Sequence, residues 1–499
     1  MTSTVSTVRS LVERQAALRP GAAYALATER AAQLDYGELR ANCERVATLL
    51  MSHDLVPGDT VSLVMPNGLG TLQLLLGALH GGWCVNPVNL LSQPEQMRYV
   101  LEHSDCKLIL ANAEWAAKVR ALGLRAPVLE VDHDALALPR EATATPWPSP
   151  GAIGLLMYTS GTTGRPKGVM LTQANLVANA ESIAAEHALC AADRVLGVLP
   201  LYHINAFAVT MLAPLASGGS VAMAPRFSAA RFWAQALDTQ CTWLNVVPTI
   251  VSYLIEEARE APSREALKAI RLARSASAAL PPEHLRAFEQ RFGIGVVETM
   301  GLTETVAPSF SNPLDPAQRK LGAVGRASGC EARVIDAALQ PLPDGQTGEI
   351  AIRGPNVMCG YYKDAAATVA AFTPDGWLRS GDLGHRDSDG FFFVTGRIKE
   401  LIIKGGENIA PREIDEALLR HPAVLEAAAV GMPDKHYGQD ILACVVLRPG
   451  NDASVEADLR VFCEQHLGRY KTPKLIRFVA ELPRGPSGKV QRLKLLDGV

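Results

Sequence analysis

The chain lacks most of the features that would set it apart from an ordinary globular protein. Its 499 residues include nine cysteines, at positions 43, 84, 106, 190, 241, 330, 359, 444 and 463, but no CxxC pair. An odd, scattered set of this kind argues against a disulfide framework or a structural zinc site, and a reducing, cytoplasmic setting is expected. Neither charge dominates: 48 Lys and Arg face 51 Asp and Glu, a net charge of −3. That balance removes the electrostatic reason for binding nucleic acid. The first thirty residues carry four arginines and no sustained apolar run, so no signal peptide is expected. Internal repeats and low-complexity tracts are missing too, and nothing in the pattern favours a monomer over a homodimer. The longest uncharged stretch, residues 196–225, could span a bilayer by length alone. His203, Asn205, Pro200, Pro214, Pro225 and the Gly218-Gly219 pair interrupt it, so a buried strand, turn and helix is expected and no membrane partner.

Hydrophobic residues make up 48% and charged residues 20%, enough to bury a large interior. At about 150 residues per domain the length suits about three units. Up to about residue 395, short apolar strands alternate with amphipathic helices. Residues 61–65 read as a strand followed by a helix through Leu72, Leu75, Leu76 and Leu79. Residues 243–247 read as a second strand, continued by a helix carrying Ile250, Leu254, Ile255 and Ala258. Repeated units of this kind predict an α/β fold of parallel sheets with helices on both faces. From Gly348 the texture changes to GEIAIRGPNVMCGYY and GFFFVTGR, which read as short antiparallel strands of a small barrel-like subdomain.

The last hundred residues form another pattern. Pro411 suits the first position of a helix with inner face Ile414, Ala417 and Leu418, ending before His421-Pro422. Strands at 427–430 and 441–447, a helix near 454–467 and a strand at 475–479 complete an α+β module. The expected division is a large domain over 1–396, a hinge at 397–400 and a small mobile domain over 401–499.

The strongest local signal is Tyr158-Thr-Ser-Gly-Thr-Thr-Gly-Arg-Pro-Lys-Gly-Val-Met170, directly after the apolar strand 153–157. Thr159, Ser160, Thr162 and Thr163 supply hydroxyls, Gly161 and Gly164 free the backbone to turn its N–H groups toward an anion, and Lys167 adds charge. This chemistry suits a polyphosphate. The Walker pattern needs four residues between its glycines and Ser or Thr after its lysine. Here two residues separate Gly161 from Gly164, and Gly168 follows Lys167, so a P-loop kinase or ATPase is disfavoured.

With Gly301-Leu-Thr-Glu304, Ser380-Gly-Asp-Leu383, Gly396-Arg397 and Pro483-Arg-Gly-Pro-Ser-Gly-Lys489, this loop makes five motifs spread in order over more than three hundred residues. In these the chain resembles the acyl-adenylate-forming family of acyl- and aryl-CoA synthetases, luciferases and stand-alone adenylation domains. Leu34-Asp-Tyr-Gly-Glu-Leu39, Gly58-Asp-Thr-Val61 and Pro66-Asn67 extend the likeness toward the start of the chain.

The resemblance implies an enzyme that joins a carboxylic acid to coenzyme A through an acyl-adenylate, using ATP and Mg²⁺. It implies that Asp382, with Arg397 assisting, binds the ribose; a turn-capping Asp382 is the bland alternative. Thr303 would contact the nucleotide phosphate and Glu304 would hold the metal, since Mg²⁺ prefers few carboxylates plus phosphate oxygens; taken alone, Glu304 reads as a solvated loop acid. Ser277, Ala278 and Met300 fall on the nucleotide side, Met300 where the family commonly has an aromatic ring. Ala279 stands where a proline is common in that loop. From Arg469 onward eight Lys or Arg meet two acids, which is ordinarily a solvated basic tail. The resemblance instead assigns Lys489 to stabilising the attack of carboxylate on the α-phosphate. It places the hinge at Lys399, with rotation of the small domain bringing Gly405 and Gly406 to the site for thiol attack.

For the acid itself, strand alternation puts Ile270, Leu272 and Arg274 on one face. An arginine on an apolar face is costly unless paired. It either meets a structural carboxylate or binds a second anionic group of the substrate. His203 and Asn205 match the family's acyl-pocket segment. Ser309-Phe-Ser-Asn-Pro313 resembles oxalate- and malonate-activating ligases, and the nearest group is sulfoacetate–CoA ligase. A short anionic acid such as sulfoacetate or a small dicarboxylate is expected. The alternatives are an aryl or medium-chain acyl-CoA synthetase, an adenylation enzyme that loads a separate carrier protein, and a regulatory protein that keeps only nucleotide recognition.

Overall fold

A computed structural model describes residues 6–159, 165–256, 261–484 and 490–497, with Asn408 described by its backbone alone. Two large sheets carry the first part of the chain. The first has seven strands, with Cys84–Pro87 between Ile153–Thr159 and Thr60–Val64, then Leu108–Ala111 and Val128–Glu130 outward. The second has nine, with Arg194–Gly197, Trp243–Val246, Leu272–Ser275 and Val296–Met300 adjacent and parallel at its centre. One continuous apolar core serves both sheets. The helix Leu69–Gly81 is buried along its whole length, as a helix apolar on all sides must be. Gly77 lets it approach the helix Tyr36–Met51, because a Cβ there would lie 2.5 Å from the Val46 side chain.

The strands expected at 61–65 and 243–247 are Thr60–Val64 and Trp243–Val246, and the helix after the second is Pro248–Glu256. Ala258 lies outside the described residues. The long uncharged stretch is the strand Arg194–Gly197, a π-helix Ala206–Leu212 running into the helix Ala213–Ser217, and the strand Ser220–Met223. Among the described residues no helix is long and apolar enough to cross a membrane.

After Gly348 the expected antiparallel region is a four-stranded sheet of Glu331–Ile335, Gly348–Arg353, Leu378–Arg386 and Phe392–Arg397. Phe392 bridges across to Gly325. The last part of GEIAIRGPNVMCGYY leaves that sheet. Gly360–Tyr361 pairs antiparallel with Lys167–Thr172, so it joins the sheet that carries the phosphate loop.

The C-terminal unit has its own core around Ile402, Ile414, Leu418, Val424, Ile441 and Leu459. Its first helix is Pro411–Leu419, with Ile414, Ala417 and Leu418 buried as the pattern required. Its strands outrun the expected limits: Val424–Asp434 and Gly438–Leu447 form one long hairpin, extended by ten-residue pairing that short apolar runs do not announce. A helix Glu456–Lys471, interrupted at Gly468, and the strand Leu475–Phe478 complete it. The apolar strand expected at residues 401–403 is Ile402–Lys404; its antiparallel partner, Glu407–Ile409, was not expected, because three residues with two polar side chains show no period.

Candidate active site

In open α/β sheets, ligands bind beyond the carboxyl ends of parallel strands. Thr159, Ser275 and Met300 are the last residues of three such strands. Thr159 pairs with Lys167 across antiparallel strands. Ser160, Gly161, Thr162, Thr163 and Gly164 lie outside the described residues. The strand end itself is braced. The Tyr158 hydroxyl and His103 Nδ1 are 2.8 Å apart, and His103 stacks on Tyr99 at 5.1 Å.

Gly301 opens the next loop without a side chain because a Cβ would lie 2.7 Å from the Cα atoms of Ala307 and Pro308. Thr303 and Glu304 follow in a single 3-10 turn, Thr303–Thr305. Two contacts link this turn to the phosphate loop. The Tyr361 hydroxyl donates to Glu304 Oε1 at 2.9 Å, and the Lys167 ammonium lies 4.9 Å from the centre of the Tyr361 ring. The sequence gives no local signal for Tyr361, which stands 57 residues from Glu304 in the chain.

Asp382 is not in a turn. It lies within the strand Leu378–Arg386, directly opposite Arg397, because a register shift at Leu383 and Gly384 lets the glycine-bearing segment stay in the ladder. Arg397 Nε meets Asp382 Oδ1 at 2.7 Å. The carboxylate beside it raises the Arg397 pKa. Ser277 takes a left-handed backbone, φ 74°, one residue past Ala276 in the loop after the strand, and Ala278 beside it is exposed. Met300 is half-buried against the cluster around Phe310 and Phe392.

Arg274 is completely buried, on the same face of its strand as buried Leu272. Its Nη1 donates to Asn205 Oδ1 at 2.7 Å and to Asn245 Oδ1 at 2.8 Å. Its Nε and Nη2 have no hydrogen-bond partner among the described residues. Burial pushes its pKa down to about 9, so it remains charged at neutral pH. The nearby His187 stays neutral and adds no second positive charge: burial, reinforced by Arg274, pushes its pKa down to about 3. Asn205 also donates to the Ser277 hydroxyl at 3.1 Å, which ties the arginine to the loop after its strand. Asn245, which sequence reasoning passed over, completes the cradle by donating to Asn205 Oδ1 and Thr210 Oγ1. His203 sits half-buried two residues before Asn205, its ring 4.8 Å from that of Tyr202.

Three of the residues expected from the hinge and the small unit lie among the described residues. Lys399 is exposed in the turn Ile398–Glu400 between Phe392–Arg397 and Ile402–Lys404. Gly405 and Gly406 form the bend between Ile402–Lys404 and Glu407–Ile409, at φ 55° and 89°. Lys404 anchors that bend through a buried ion pair with Asp440 at 2.6 Å. Lys489 lies outside the described residues.

Glu298, in the strand leading to Met300, was also missed. Burial raises its pKa to about 7, against the opposing charge of Arg412 from the helix Pro411–Leu419. Its folded value exceeds the unfolded 4.5, so between these values folding takes up a proton. Stability therefore falls as pH rises through that window and levels above it. Glu298→Gln stays neutral and should gain about 2 kcal/mol on wild type between pH 5 and pH 8. Thermal melts at the two pH values check this; an unchanged difference in Tm would contradict it.

The AMP-binding enzyme family profile matches residues 12–362, and the AMP-binding enzyme C-terminal domain profile matches residues 413–489. The sulfoacetate–CoA ligase of Cupriavidus necator is 56% identical over 501 aligned residues, covering 98% of this chain and 97% of that protein. The oxalate–CoA ligase of Arabidopsis thaliana is 36% identical, covering 92% of each. The ATP-bound crystal structure of MatB from Rhodopseudomonas palustris superposes with a TM-score of 0.91 at 30% identity, covering 98% of both chains. The chain thus belongs to the AMP-binding enzyme family, and within it is an ATP-dependent acid–CoA ligase, an AMP-forming acyl-CoA synthetase.

Proposed function

We propose that the acid is short and carries a second anionic group, with sulfoacetate as the preferred substrate. The observation that carries this is Arg274, a buried guanidinium that has, among the described residues, no carboxylate hydrogen-bond partner and one unpartnered edge. A buried charge left so is costly, and a ligand anion resolves the cost. The named activities of the two curated relatives, on sulfoacetate and oxalate, support an anionic acid.

In the first step the substrate carboxylate attacks the α-phosphate of ATP, giving acyl-adenylate and pyrophosphate. Thr159 to Gly164 and Lys167 hold the phosphates, Thr303 contacts them, and Asp382 with Arg397 takes the ribose. Ser277, Ala278 and Met300 border the adenine. Lys489 neutralises charge developing at the α-phosphate. His203 and Asn205 border the acyl group, and Arg274 holds its distal anion. In the second step the small domain, residues 401–499, turns about residues 397–400 at Lys399. Gly405 and Gly406 then border the site where coenzyme A thiolate displaces AMP. No covalent enzyme intermediate is needed.

Among the described residues no group of three or more His, Cys, Asp or Glu could hold a metal ion. A lone carboxylate, Glu304, fits Mg²⁺ whose other ligands are phosphate oxygens and water. Bound there, the ion would screen phosphate charge. The unpaired cysteines among the described residues fit a cytoplasmic enzyme.

Acid-dependent exchange of labelled pyrophosphate into ATP, followed by thioester formation with coenzyme A, tests the proposal across sulfoacetate, malonate, oxalate, acetate and benzoate. Sulfoacetate should give the highest kcat/KM. Equal or better use of acetate or benzoate would overturn the substrate, and acid-independent behaviour would overturn the assigned chemistry.

A further inference from the structure

We infer that Tyr361 is a positioning residue for the adenylation step, holding the metal-bearing carboxylate and the phosphate-loop lysine in one arrangement. This rests on the roles proposed above for Glu304 and Lys167. The geometry is specific on both sides of the ring. The hydroxyl donates to Glu304 Oε1 at 2.9 Å, which directs that oxygen to the tyrosine and leaves the carboxylate's orientation determined before any ligand arrives. The ring face meets the Lys167 ammonium at 4.9 Å, within the range of a cation–π contact. Hydrogen-bond partners of metal ligands fix the orientation of those ligands.

The backbone around Tyr361 is built for this placement. Gly360–Tyr361 is a two-residue strand laid against Lys167–Thr172, with Tyr361 opposite Val169. The Tyr361 N–H donates to the Thr368 hydroxyl at 2.9 Å, and the Tyr362 N–H to the Gly168 carbonyl at 2.8 Å. A side chain at Gly360 would put a Cβ 2.7 Å from Thr368, so the strand approaches closely only through glycine. Met358 N–H donates to the Glu304 carbonyl at 2.8 Å, which holds the turn Thr303–Thr305 against the same segment. The segment therefore couples the loop that grips phosphate to the turn that grips metal.

The test uses the full-length enzyme with a non-hydrolysable ATP analogue and Mn²⁺, whose binding is read by electron paramagnetic resonance. Pyrophosphate exchange is titrated with Mg²⁺ in parallel. Tyr361→Phe keeps the ring and removes the donor. It should raise the Mn²⁺ half-saturation roughly ten-fold or more, and exchange should recover as Mg²⁺ is raised. Tyr361→Leu should also raise the ATP requirement, because Lys167 loses its ring. Glu304→Gln is the reference for loss of the metal contact. If Tyr361→Phe binds Mn²⁺ like wild type while Glu304→Gln does not, the positioning role falls and the metal assignment stands. If neither variant changes Mn²⁺ binding, the metal assignment of Glu304 fails. A Tyr361→Phe deficit that excess Mg²⁺ does not relieve, with a lowered Tm, would make the tyrosine a structural residue and overturn the inference.

Discussion

Arg274→Leu is expected to lower kcat/KM for sulfoacetate by two to three orders of magnitude while changing that for acetate no more than a few-fold. Losing one partner of a buried, hydrogen-bonded charge pair costs roughly 2–5 kcal/mol, which is about 30- to 5,000-fold. The selectivity follows from how the guanidinium is held. Nη1 is occupied by the amide oxygens of Asn205 and Asn245, so the buried Nε and Nη2, on one edge of the fork, are left without a hydrogen-bond partner among the described residues. Two parallel N–H donors match two oxygens of a sulfonate or carboxylate. Acetate has no distal anion to place there and loses little. Arg274→Lys should fail almost as badly, since an ammonium keeps the charge but not the fork. The measurement is a set of kcat/KM values for sulfoacetate, malonate and acetate, with Tm recorded for each variant. A uniform fall across the three acids, accompanied by a lower Tm, would return Arg274 to a role in the core.

Lys489→Ala is expected to reduce acid-dependent pyrophosphate exchange by at least about 100-fold, the scale on which one donor to a developing charge contributes. Thioester formation from supplied acyl-adenylate and coenzyme A should persist, because that step transfers the acyl group away from phosphate and needs no charge stabilised at the α-phosphorus. The two half-reactions are measured separately on the same preparation. Equal loss in both would contradict the assignment. Lys399→Pro, which stiffens the hinge, should show the opposite split, with exchange retained and thioester formation lost.

The order of strands and helices in the large unit was legible because buried parallel strands and their helices are long, apolar and periodic. The strands Thr60–Val64 and Trp243–Val246 fall within a residue of their expected limits, and Leu72 to Leu79 and Ile250 to Ile255 lie in the helices that follow them. The helix Pro411–Leu419 was equally clear, since proline at its start and a three-and-four spacing leave little freedom. The segments around Thr159 to Lys167, Gly301 to Glu304 and Ser380 to Leu383 stood out as motifs by their closely spaced glycines, hydroxyls and charges, although Asp382, read as part of a turn, lies in a strand.

What a local pattern carries, the chain determined alone: an α/β architecture, a loop of glycines and hydroxyls ending in a lysine, and an arginine on an apolar face. Only the tertiary structure decided that Arg274 meets two asparagines and, among the described residues, no carboxylate, since Asn205 and Asn245 lie 69 and 29 residues away in sequence. It alone moved Gly360–Tyr361 from the four-stranded sheet to the phosphate-loop sheet, and so brought a phenol to Glu304. Pairing between distant segments depends on how whole sheets pack, and a two-residue strand has no period from which to read it. Side chains whose function depends on their neighbours are therefore identified only once those neighbours are in place.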